Sequence, residues 1–419
     1  MRHVIIGAGP AGVVAAETLR QHDVKAEILL LRDEPEPAYS RMAIPYLLAN
    51  KIVESGSYLR HDPEHFNSLN IQQKLARVES IDPENHRLQL PGGETLSYNR
   101  LLLATGSQPV RPPVEGLDQP GIHHCWTLED ARAISELARP GAQVTLMGAG
   151  FIGCIVMEAL MGRGVDLTVI EMGDRMVPRM MDRTAGELIR QWCMGKGVQI
   201  HTSTRVRSVR HDSSGTARYQ LRCDPDGQIA ADLIVVATGV KPNIAFLAGS
   251  GIQTASGVLV DHFQRSSVAD VYAAGDVCEG LDWSSRHRAV NAIQPAAVET
   301  ARIAALNMAG RPAPHAGSLA MNVLDTLGLI STSYGLWMGS KQSESSSLVD
   351  ENSYRYIKLQ FEQDHLIGAI TLGMTEHVGV LRGLIQARTD LGVWKHRLME
   401  NPSRIMEAYL SITHPSTHR

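Results

Sequence analysis

Residues 3–12 read HVIIGAGPAG, a short β-branched run that leads directly into a glycine-rich turn. Residues 13–21 have a helical pattern, residues 28–31 form a second apolar run, and the acids Asp33 and Glu34 follow. The order strand, glycine-rich turn, helix, strand and acid is typical of a βαβ unit that binds a dinucleotide. In such a unit the first glycine permits the tight turn, the second lets the backbone approach a pyrophosphate, and the third lets the helix pack closely on the strand.

The same arrangement recurs in the middle of the chain. Residues 143–153 read QVTLMGAGFIG, residues 154–163 have a helical pattern, and the apolar run 167–170 ends in Glu171. A single G-x-G-x-x-G motif is weak evidence, but two copies with flanking strands and a correctly spaced acid predict two dinucleotide sites. Each pyrophosphate is expected at the positively polarised N-terminus of a helix.

Three other strand ends support this prediction. Residues 101–106 (LLLATG) and 233–239 (LIVVATG) are buried-strand patterns that both end in Ala-Thr-Gly. Residues 271–276 (VYAAGD) place Asp276 just beyond another strand. Small residues and a carboxylate at the carboxyl ends of parallel strands suit the ligand crevice of a doubly wound sheet.

Composition narrows the class of protein. The chain has 419 residues, 43% of them hydrophobic and 20% charged, which is ordinary for two or three globular domains. Its 40 basic and 44 acidic residues argue against a nucleic-acid binder. The start, Met1-Arg2-His3, predicts no signal peptide, and no apolar run is long enough for a membrane span, so a cytoplasmic location is predicted. Five cysteines without a C-x-x-C pair argue against a disulfide scaffold and against the usual metal spacings, so no metal site is predicted.

In the order of these motifs, the chain resembles the pyridine nucleotide–disulfide oxidoreductase superfamily of two-dinucleotide flavoproteins. The resemblance implies an α/β fold with two Rossmann-like dinucleotide-binding domains, glutathione-reductase-like, plus a C-terminal α+β interface domain. It implies a discontinuous FAD-binding domain over residues 1–110 and 240–315, an NAD-binding domain over 111–239 and an interface domain over 316–419. In the last of these, a hairpin is predicted around residues 362–365 and a helix over 378–387.

The resemblance also implies which residues contact FAD. The first turn would hold the pyrophosphate, and Glu34 the adenosine ribose, with Asp33 as a competing candidate. Asp276 would bond the ribityl chain or pyrophosphate, and the helix start at Asn291–Ala297 would face the pyrimidine side of the flavin. The predicted FAD contacts are Gly7, Gly9, Pro10, Ala11, Gly12, Asp33, Glu34, Arg41, Val78, Ala104, Thr105, Gly106, Gly275, Asp276 and Gln294.

For the second dinucleotide, the resemblance implies contacts from the second turn and from two residues beyond it. The predicted contacts are Gly148, Gly150, Ile152, Gly153, Glu171 and Gly239. A carboxylate at Glu171 would repel a 2′-phosphate, so NADH is predicted in preference to NADPH. Arg175, four residues further on, argues in the opposite direction.

Residues 39–48 (YSRMAIPYLL) are similar to the rubredoxin/ferredoxin reductase and nitrite reductase flavin-domain branch, in which the Tyr-x-Arg element lies against FAD. The chain lacks the redox cysteine pair of the disulfide reductases, because no cysteine precedes Cys125. Many relatives carry a Lys beside flavin N5, bonded to a Glu; Tyr46 and Ile155 stand at those positions. Glu158 either substitutes for the Glu or faces solvent. Tyr46 is predicted near flavin N5, and no other catalytic residue is predicted.

These features predict an FAD-dependent NADH:acceptor oxidoreductase that works without a redox-active disulfide. Its expected partner is a redox protein or an iron–sulfur subunit, and similar chains serve as the FAD/NADH subunit of larger complexes of the phenylglyoxylate dehydrogenase type. Homo- or hetero-oligomers through the C-terminal domain are compatible with the sequence. The alternatives are an NADH oxidase that reduces oxygen and a flavin-bound signalling or structural protein with little turnover.

Overall fold

The computed structural model of the chain describes Met1–Asp212, Gly215, Ala217–Pro225 and Gly227–Thr413. The strands of this described part are β1 (Arg2–Ile6), β2 (Glu27–Arg32), β3 (Ile71–Leu75), β4 (Ser80–Asp82), β5 (Arg87–Gln89), β6 (Thr95–Ser97), β7 (Arg100–Leu103), β8 (Ser107–Pro109), β9 (Ile122–His123), β10 (Gln143–Met147), β11 (Asp166–Ile170), β12 (Gln199–His201), β13 (Arg205–His211), β14 (Tyr219–Asp224), β15 (Gly227–Ala231), β16 (Leu233–Val236), β17 (Val240–Pro242), β18 (Val258–Leu259), β19 (Val271–Ala273), β20 (Cys278–Leu281), β21 (Arg288–Ala289), β22 (Met321–Thr326), β23 (Leu329–Gly335), β24 (Glu344–Asp350), β25 (Arg355–Glu362) and β26 (His365–Leu372).

The α-helices of the same residues are α1 (Pro10–His22), α2 (Ile44–Leu48), α3 (His65–Ser68), α4 (Leu128–Leu137), α5 (Phe151–Met161), α6 (Arg183–Gly195), α7 (Gln294–Met308), α8 (Val378–Ala387), α9 (Val393–Glu400) and α10 (Ile405–Thr413). Short 3-10 helices cover Arg41–Ala43, Glu54–Ser57, Pro91–Gly93, Ala245–Leu247, Gly275–Val277 and Pro402–Arg404. None of these helices combines the length and the apolar character that a membrane span requires.

The chain divides into two compact units, of which the first comprises Met1–Leu47, Ile52–Gln108 and Val240–Ser318. Its main sheet has the order β19-β7-β1-β2-β3, and every pair in it is parallel. One face of the sheet packs against α1 and α7, and the other packs against the small antiparallel sheet β4-β5-β6. Because both faces are covered, β2 carries four consecutive buried residues, Ile28 to Leu31, rather than an alternating pattern.

The second unit comprises Leu48–Lys51, Pro109–Gly239 and Leu319–Arg419. It contains a second parallel sheet, of order β12-β11-β10-β16-β9, and β10 lies between β11 and β16 as β1 lies between β2 and β7. One face of this sheet packs on the antiparallel sheet β13-β14-β15. Two parallel sheets of this kind confirm the predicted Rossmann-like α/β fold class.

The C-terminal part of the second unit is an antiparallel sheet of order β22-β23-β26-β25-β24, followed by α8, α9 and α10. The predicted hairpin is confirmed, because β25 and β26 pair from Tyr356–Leu372 to Glu362–His365. The predicted helix over residues 378–387 is confirmed as α8. The residue bounds of the three predicted domains stay a prediction, and residues 414–419 of the third lie outside the described part of the chain.

Candidate dinucleotide sites

The first glycine-rich turn joins β1 to α1, and its three glycines have different surroundings. Gly7 has a φ of +111°, and a Cβ there would overlap the Ala104 carbonyl oxygen. A Cβ on Gly12 would overlap the carbonyl oxygen of Gly7, so α1 can approach β1 only because position 12 has no side chain. A Cβ on Gly9 would meet nothing within 4 Å. Packing therefore requires Gly7 and Gly12, while Gly9 leaves an open approach to the backbone.

The second turn, between β10 and α5, repeats this geometry. Gly148 has a φ of +103°, and a Cβ there would lie 2.5 Å from the Ala237 carbonyl oxygen. A Cβ on Gly153 would overlap the carbonyl oxygen of Gly148, and one on Gly150 would meet nothing within 4 Å. Both turns therefore leave room for a pyrophosphate at the same relative place.

The two helix N-termini are suited to an anion. Gly9 and Gly150 are the N-cap residues of α1 and α5, and neither can supply a side-chain cap. Neither first turn contains an acidic residue. Ile152, a predicted contact, lies in the first turn of α5. Backbone N–H groups without a capping carboxylate, together with the positive end of the helix dipole, attract phosphate. Both sites thus fit the pyrophosphate of a dinucleotide.

Beside the first turn lies a cavity with about 100 Å³ of space accessible to water. Four of the predicted residues line it: Gly7, Asp33, Val78 and Thr105. Three of its other lining residues, Arg77, Asn243 and Phe246, are not predicted from the sequence. The Thr105 hydroxyl donates to the Asn243 carbonyl oxygen over 3.0 Å, which joins the first Ala-Thr-Gly turn to the return of the chain after residue 240. Asn243 and Phe246 lie about 240 residues from the first turn and belong to no motif, so only the fold identifies them.

The competing acids Asp33 and Glu34 have different surroundings. Asp33 lines the cavity. The carboxylate of Glu34 accepts hydrogen bonds from the Arg41 guanidinium and from the Tyr39 hydroxyl. Arg41 also donates to the Tyr39 hydroxyl over 3.0 Å. This arrangement favours Asp33 as the ribose contact and Glu34 as the residue that orients Arg41.

Asp276 lies where the first turn and the start of α7 meet. Gly275 has a φ of +77°, and a Cβ there would lie 3.1 Å from the Ala11 Cβ, so a side chain at this position beside α1 would be strained. The Ser107 hydroxyl donates to Asp276 Oδ2 over 2.9 Å. Burial raises the pKa of Asp276 above its ordinary value, and the Ser107 hydrogen bond and the charge of Arg41 offset only part of this rise.

The predicted helix start after Asn291 is confirmed, because α7 begins at Gln294. The Ser40 hydroxyl donates to the Gln294 side-chain oxygen over 3.0 Å. Residues 40 and 41 therefore link the start of α7 to the Glu34 cluster. Ser40 and Ser107 have no motif that would identify them in the sequence.

Glu171 is held against the second turn. Its Oε2 accepts from the Ala149 N–H over 2.7 Å, and its Oε1 accepts from the Gly173 N–H over 2.6 Å. The acid is thus positioned by the backbone of the turn itself. Gly239, with a φ of +114°, follows β16, and its carbonyl accepts from the Val110 N–H over 2.9 Å.

The two positions that differ from the lysine–glutamate pair of related proteins carry no charge. The Tyr46 side chain belongs to α2 and the residue is 54% exposed, while Ile155 lies half-buried on α5. Glu158, predicted either as a substitute or as a solvent-facing residue, pairs with Lys51 over 2.9 Å. Lys51 was not predicted, since its place opposite Glu158 depends on a contact between positions 107 residues apart.

The cysteines lie among the described residues and are enclosed by the protein. All five cysteines are free and buried. Burial raises the pKa of Cys193 and of Cys278 to about 12 and raises that of Cys125 and Cys154 further, so these thiols stay protonated at neutral pH. Among the described residues, no group of three or more His, Cys, Asp or Glu side chains could hold a metal ion.

Two Rossmann-like sheets, each with an open glycine-rich turn, define a reductase of the two-dinucleotide class. Residues 1–298 match the family model described as pyridine nucleotide-disulphide oxidoreductase, and the chain belongs to this family. It is an oxidoreductase, and its family membership implies FAD and NAD(H) as cofactors.

Curated relatives resemble the chain over most of its length. It is 29% identical over 416 residues to the NADH-dependent phenylglyoxylate dehydrogenase subunit epsilon of Aromatoleum evansii, which covers 98% of both chains. It is 32% identical over 312 residues to the ferredoxin–NAD(+) reductase component of the biphenyl dioxygenase system of Paraburkholderia xenovorans, covering 74% of this chain and 75% of that one. These similarities confirm the predicted branch of the superfamily.

Solved structures confirm the fold. Putidaredoxin reductase, in its covalent complex with putidaredoxin, aligns with a TM-score of 0.90 at 21% identity over 99% of both chains. A NAD-dependent persulfide reductase from A. fulgidus aligns with a TM-score of 0.86 at 27% identity, covering 94% of this chain and 78% of that one.

Proposed function

We propose that this chain moves electrons between NADH and a redox partner protein, or an iron–sulfur partner subunit, through FAD and without a redox-active disulfide. The observation that carries the proposal is the pair of open glycine-rich turns, one in each parallel sheet. When bound, FAD supplies two-electron exchange with a nicotinamide and one-electron exchange with a redox centre. The chain's own residues supply binding, orientation and the electrostatic environment.

In the first unit, Gly7, Gly9 and Gly12 would hold the FAD pyrophosphate at the N-terminus of α1. Asp33 would contact the adenosine ribose and Val78 would contribute backbone contacts, because both line the cavity beside Gly7. Asp276 would bond the ribityl chain or pyrophosphate, and α7 would direct its positive end toward negative charge on the flavin. Arg41 is suited to the same anionic region, because its charge also acts on Asp276.

In the second unit, Gly148, Gly150 and Gly153 would hold the pyrophosphate of NADH at the N-terminus of α5. Glu171 would accept hydrogen bonds from the adenosine ribose diol. The backbone bonds from Ala149 and Gly173 fix the carboxylate beside the turn. A fixed anion at this place repels a 2′-phosphate, so we propose NADH in preference to NADPH.

A redox partner is proposed because the described cysteines form no disulfide that could relay electrons. All five thiols are buried and free, so no protein disulfide relays the electrons. A redox centre outside the chain is then the proposed acceptor or donor. One relative that matches 98% of the chain is named as subunit epsilon of an NADH-dependent phenylglyoxylate dehydrogenase. We therefore propose that this chain also works as a flavin subunit, in which case electrons can flow toward NAD⁺.

The test is an anaerobic titration of the FAD-loaded chain with NADH and then NADPH, followed in the flavin absorption band. Bleaching near one equivalent of NADH, and weaker bleaching by NADPH, is the expected result. Failure to bind FAD, or no bleaching by either nucleotide with the partner absent and present, would refute the proposal.

Oxygen reduction is the second candidate function, because a relative named NADH oxidase, from Methanocaldococcus jannaschii, is 30% identical over 74% of this chain. Rapid, stoichiometric consumption of NADH in air without an added carrier would favour it. Very slow reduction with a long-lived flavin–NAD complex would instead favour a signalling or structural role.

A further inference from the structure

The segment that follows β11 places three arginines close in sequence to the acid proposed to contact the adenosine ribose. It carries Arg175, Arg179 and Arg183 within twelve residues of Glu171. Guanidinium groups bind phosphate in a bidentate manner, so arginines beside an adenosine ribose favour a 2′-phosphate. Their charge opposes the discrimination that Glu171 would provide.

Two of these arginines share one carboxylate. Asp174 Oδ1 lies 2.7 Å from Nη1 of Arg175, and Asp174 Oδ2 lies 2.5 Å from Nη2 of Arg183. Each carboxylate oxygen therefore serves a different arginine. Asp174 follows directly on Gly173, whose N–H donates to Glu171, so the two acids are held in one turn.

Arg175 is also positioned by groups other than Asp174. Its Nε donates to the Met181 carbonyl oxygen over 3.0 Å, and its side chain is only 22% exposed. A Cβ on Gly186 would lie 2.9 Å from the Arg175 Cβ, so the stem of Arg175 packs closely on α6 at a position that lacks a side chain. Arg183, by contrast, has a side chain that is 79% exposed.

We propose that Asp174 is a specificity-determining residue that acts by positioning Arg175 and Arg183. It engages both guanidinium groups in ion pairs, so that neither of them is available to a 2′-phosphate beside Glu171. The segment thereby selects a nucleotide with a free 2′-hydroxyl. This inference depends on the proposed placement of NADH at the second turn.

The test measures binding of two adenosine nucleotides, 5′-AMP and adenosine 2′,5′-bisphosphate, to the FAD-loaded full chain by isothermal titration calorimetry at low salt. The variants are Asp174→Asn, Glu171→Gln and the double variant. The unmodified chain should prefer 5′-AMP. Asp174→Asn should shift the ratio of the two dissociation constants toward the bisphosphate by about threefold, and the double variant should shift it by more than about tenfold.

Two further variants identify the cause. Arg175→Gln in the Asp174→Asn background should reverse most of the shift, because it removes a cation that Asp174→Asn leaves unpaired at a fixed position. Asp224→Asn is the matched control, since Asp224 pairs with Arg207 over 2.5 Å on β13 and β14, outside the segment 171–183. It should leave the ratio unchanged within about twofold, since an exposed pair at another surface has little effect on this site.

The outcomes separate this inference from the proposed function. If 5′-AMP binds but Asp174→Asn leaves the ratio unchanged in either background, or Asp224→Asn shifts it equally, Asp174 has no part in specificity. An unmodified chain that prefers the bisphosphate would also overturn the inference. If neither nucleotide binds to the unmodified chain, the proposed site at the second turn is wrong as well.

Discussion

Replacement of Gly9 by alanine tests whether the first turn is an open site or only a tight connection. The backbone at Gly9 is extended, with a φ of −76°, so alanine adopts it without strain. A Cβ there would meet nothing within 4 Å. Alanine is a poorer N-cap than glycine by about 0.5 kcal/mol, and the lower entropy of its unfolded chain offsets a similar amount. The free energy of unfolding of the apoprotein should therefore change by less than about 1 kcal/mol.

FAD binding should respond much more strongly than folding. The added methyl group would occupy the open face at the start of α1, where the pyrophosphate is proposed to bind. Forcing extra volume into a close contact costs about 1–3 kcal/mol, which is roughly a 5- to 150-fold rise in the dissociation constant. The assay is a fluorescence titration of apoprotein with FAD, together with urea denaturation of the apoprotein.

Two matched variants complete this test. Gly12→Ala places a Cβ on the Gly7 carbonyl oxygen and should lower the free energy of unfolding by about 3 kcal/mol. Gly150→Ala makes the Gly9 change at the second turn, so it should keep FAD and lose NADH binding. FAD affinity within twofold of the unmodified chain for Gly9→Ala, or release of FAD by Gly150→Ala, would refute the reasoning.

Three other predictions concern charged residues of the first unit. Asp33→Asn should weaken FAD binding about tenfold, and a larger loss from Glu34→Gln in the same fluorescence titration would contradict this assignment. Glu17→Gln should lower the free energy of unfolding at pH 7 by about 2 kcal/mol, because burial of Glu17 is outweighed by hydrogen bonds from Arg60 and His65 that lower its pKa. This stability is present above the pKa of an unfolded Glu and is lost as pH falls through the folded pKa. Urea denaturation at pH 7 and pH 3 should therefore show a smaller difference in the free energy of unfolding for the variant than for the unmodified chain. Asp276→Asn should stabilise the apoprotein at pH 7 yet weaken FAD binding. The pKa of Asp276 is raised in the folded state, so the stability that this group contributes is complete below the pKa of an unfolded Asp and is lost as pH rises through the folded pKa. Equal thermal denaturation of the variant and the unmodified apoprotein at pH 7 would contradict this.

The sequence by itself determined the two βαβ units and the hairpin and helix of the C-terminal part. These features depend on local spacing: a glycine needed for a positive φ at Gly7 and Gly148, another for close packing at Gly12 and Gly153, and buried runs such as residues 28–31. Steric demands of this kind act within a few residues or between adjacent elements, and so they leave a readable pattern.

Only the tertiary structure decided which side chains complete each site. Asn243 and Phe246 line the cavity beside the first glycine-rich turn although they come from a distant part of the chain. Ser107 bonds to Asp276, which lies 169 positions away in the sequence. Neighbouring acids such as Asp33 and Glu34 are equivalent in the sequence, yet one lines a cavity and the other binds Arg41. Which residues line a cavity, are buried or form ion pairs depends on which surfaces the fold brings together, and the local spacing of residues does not indicate this.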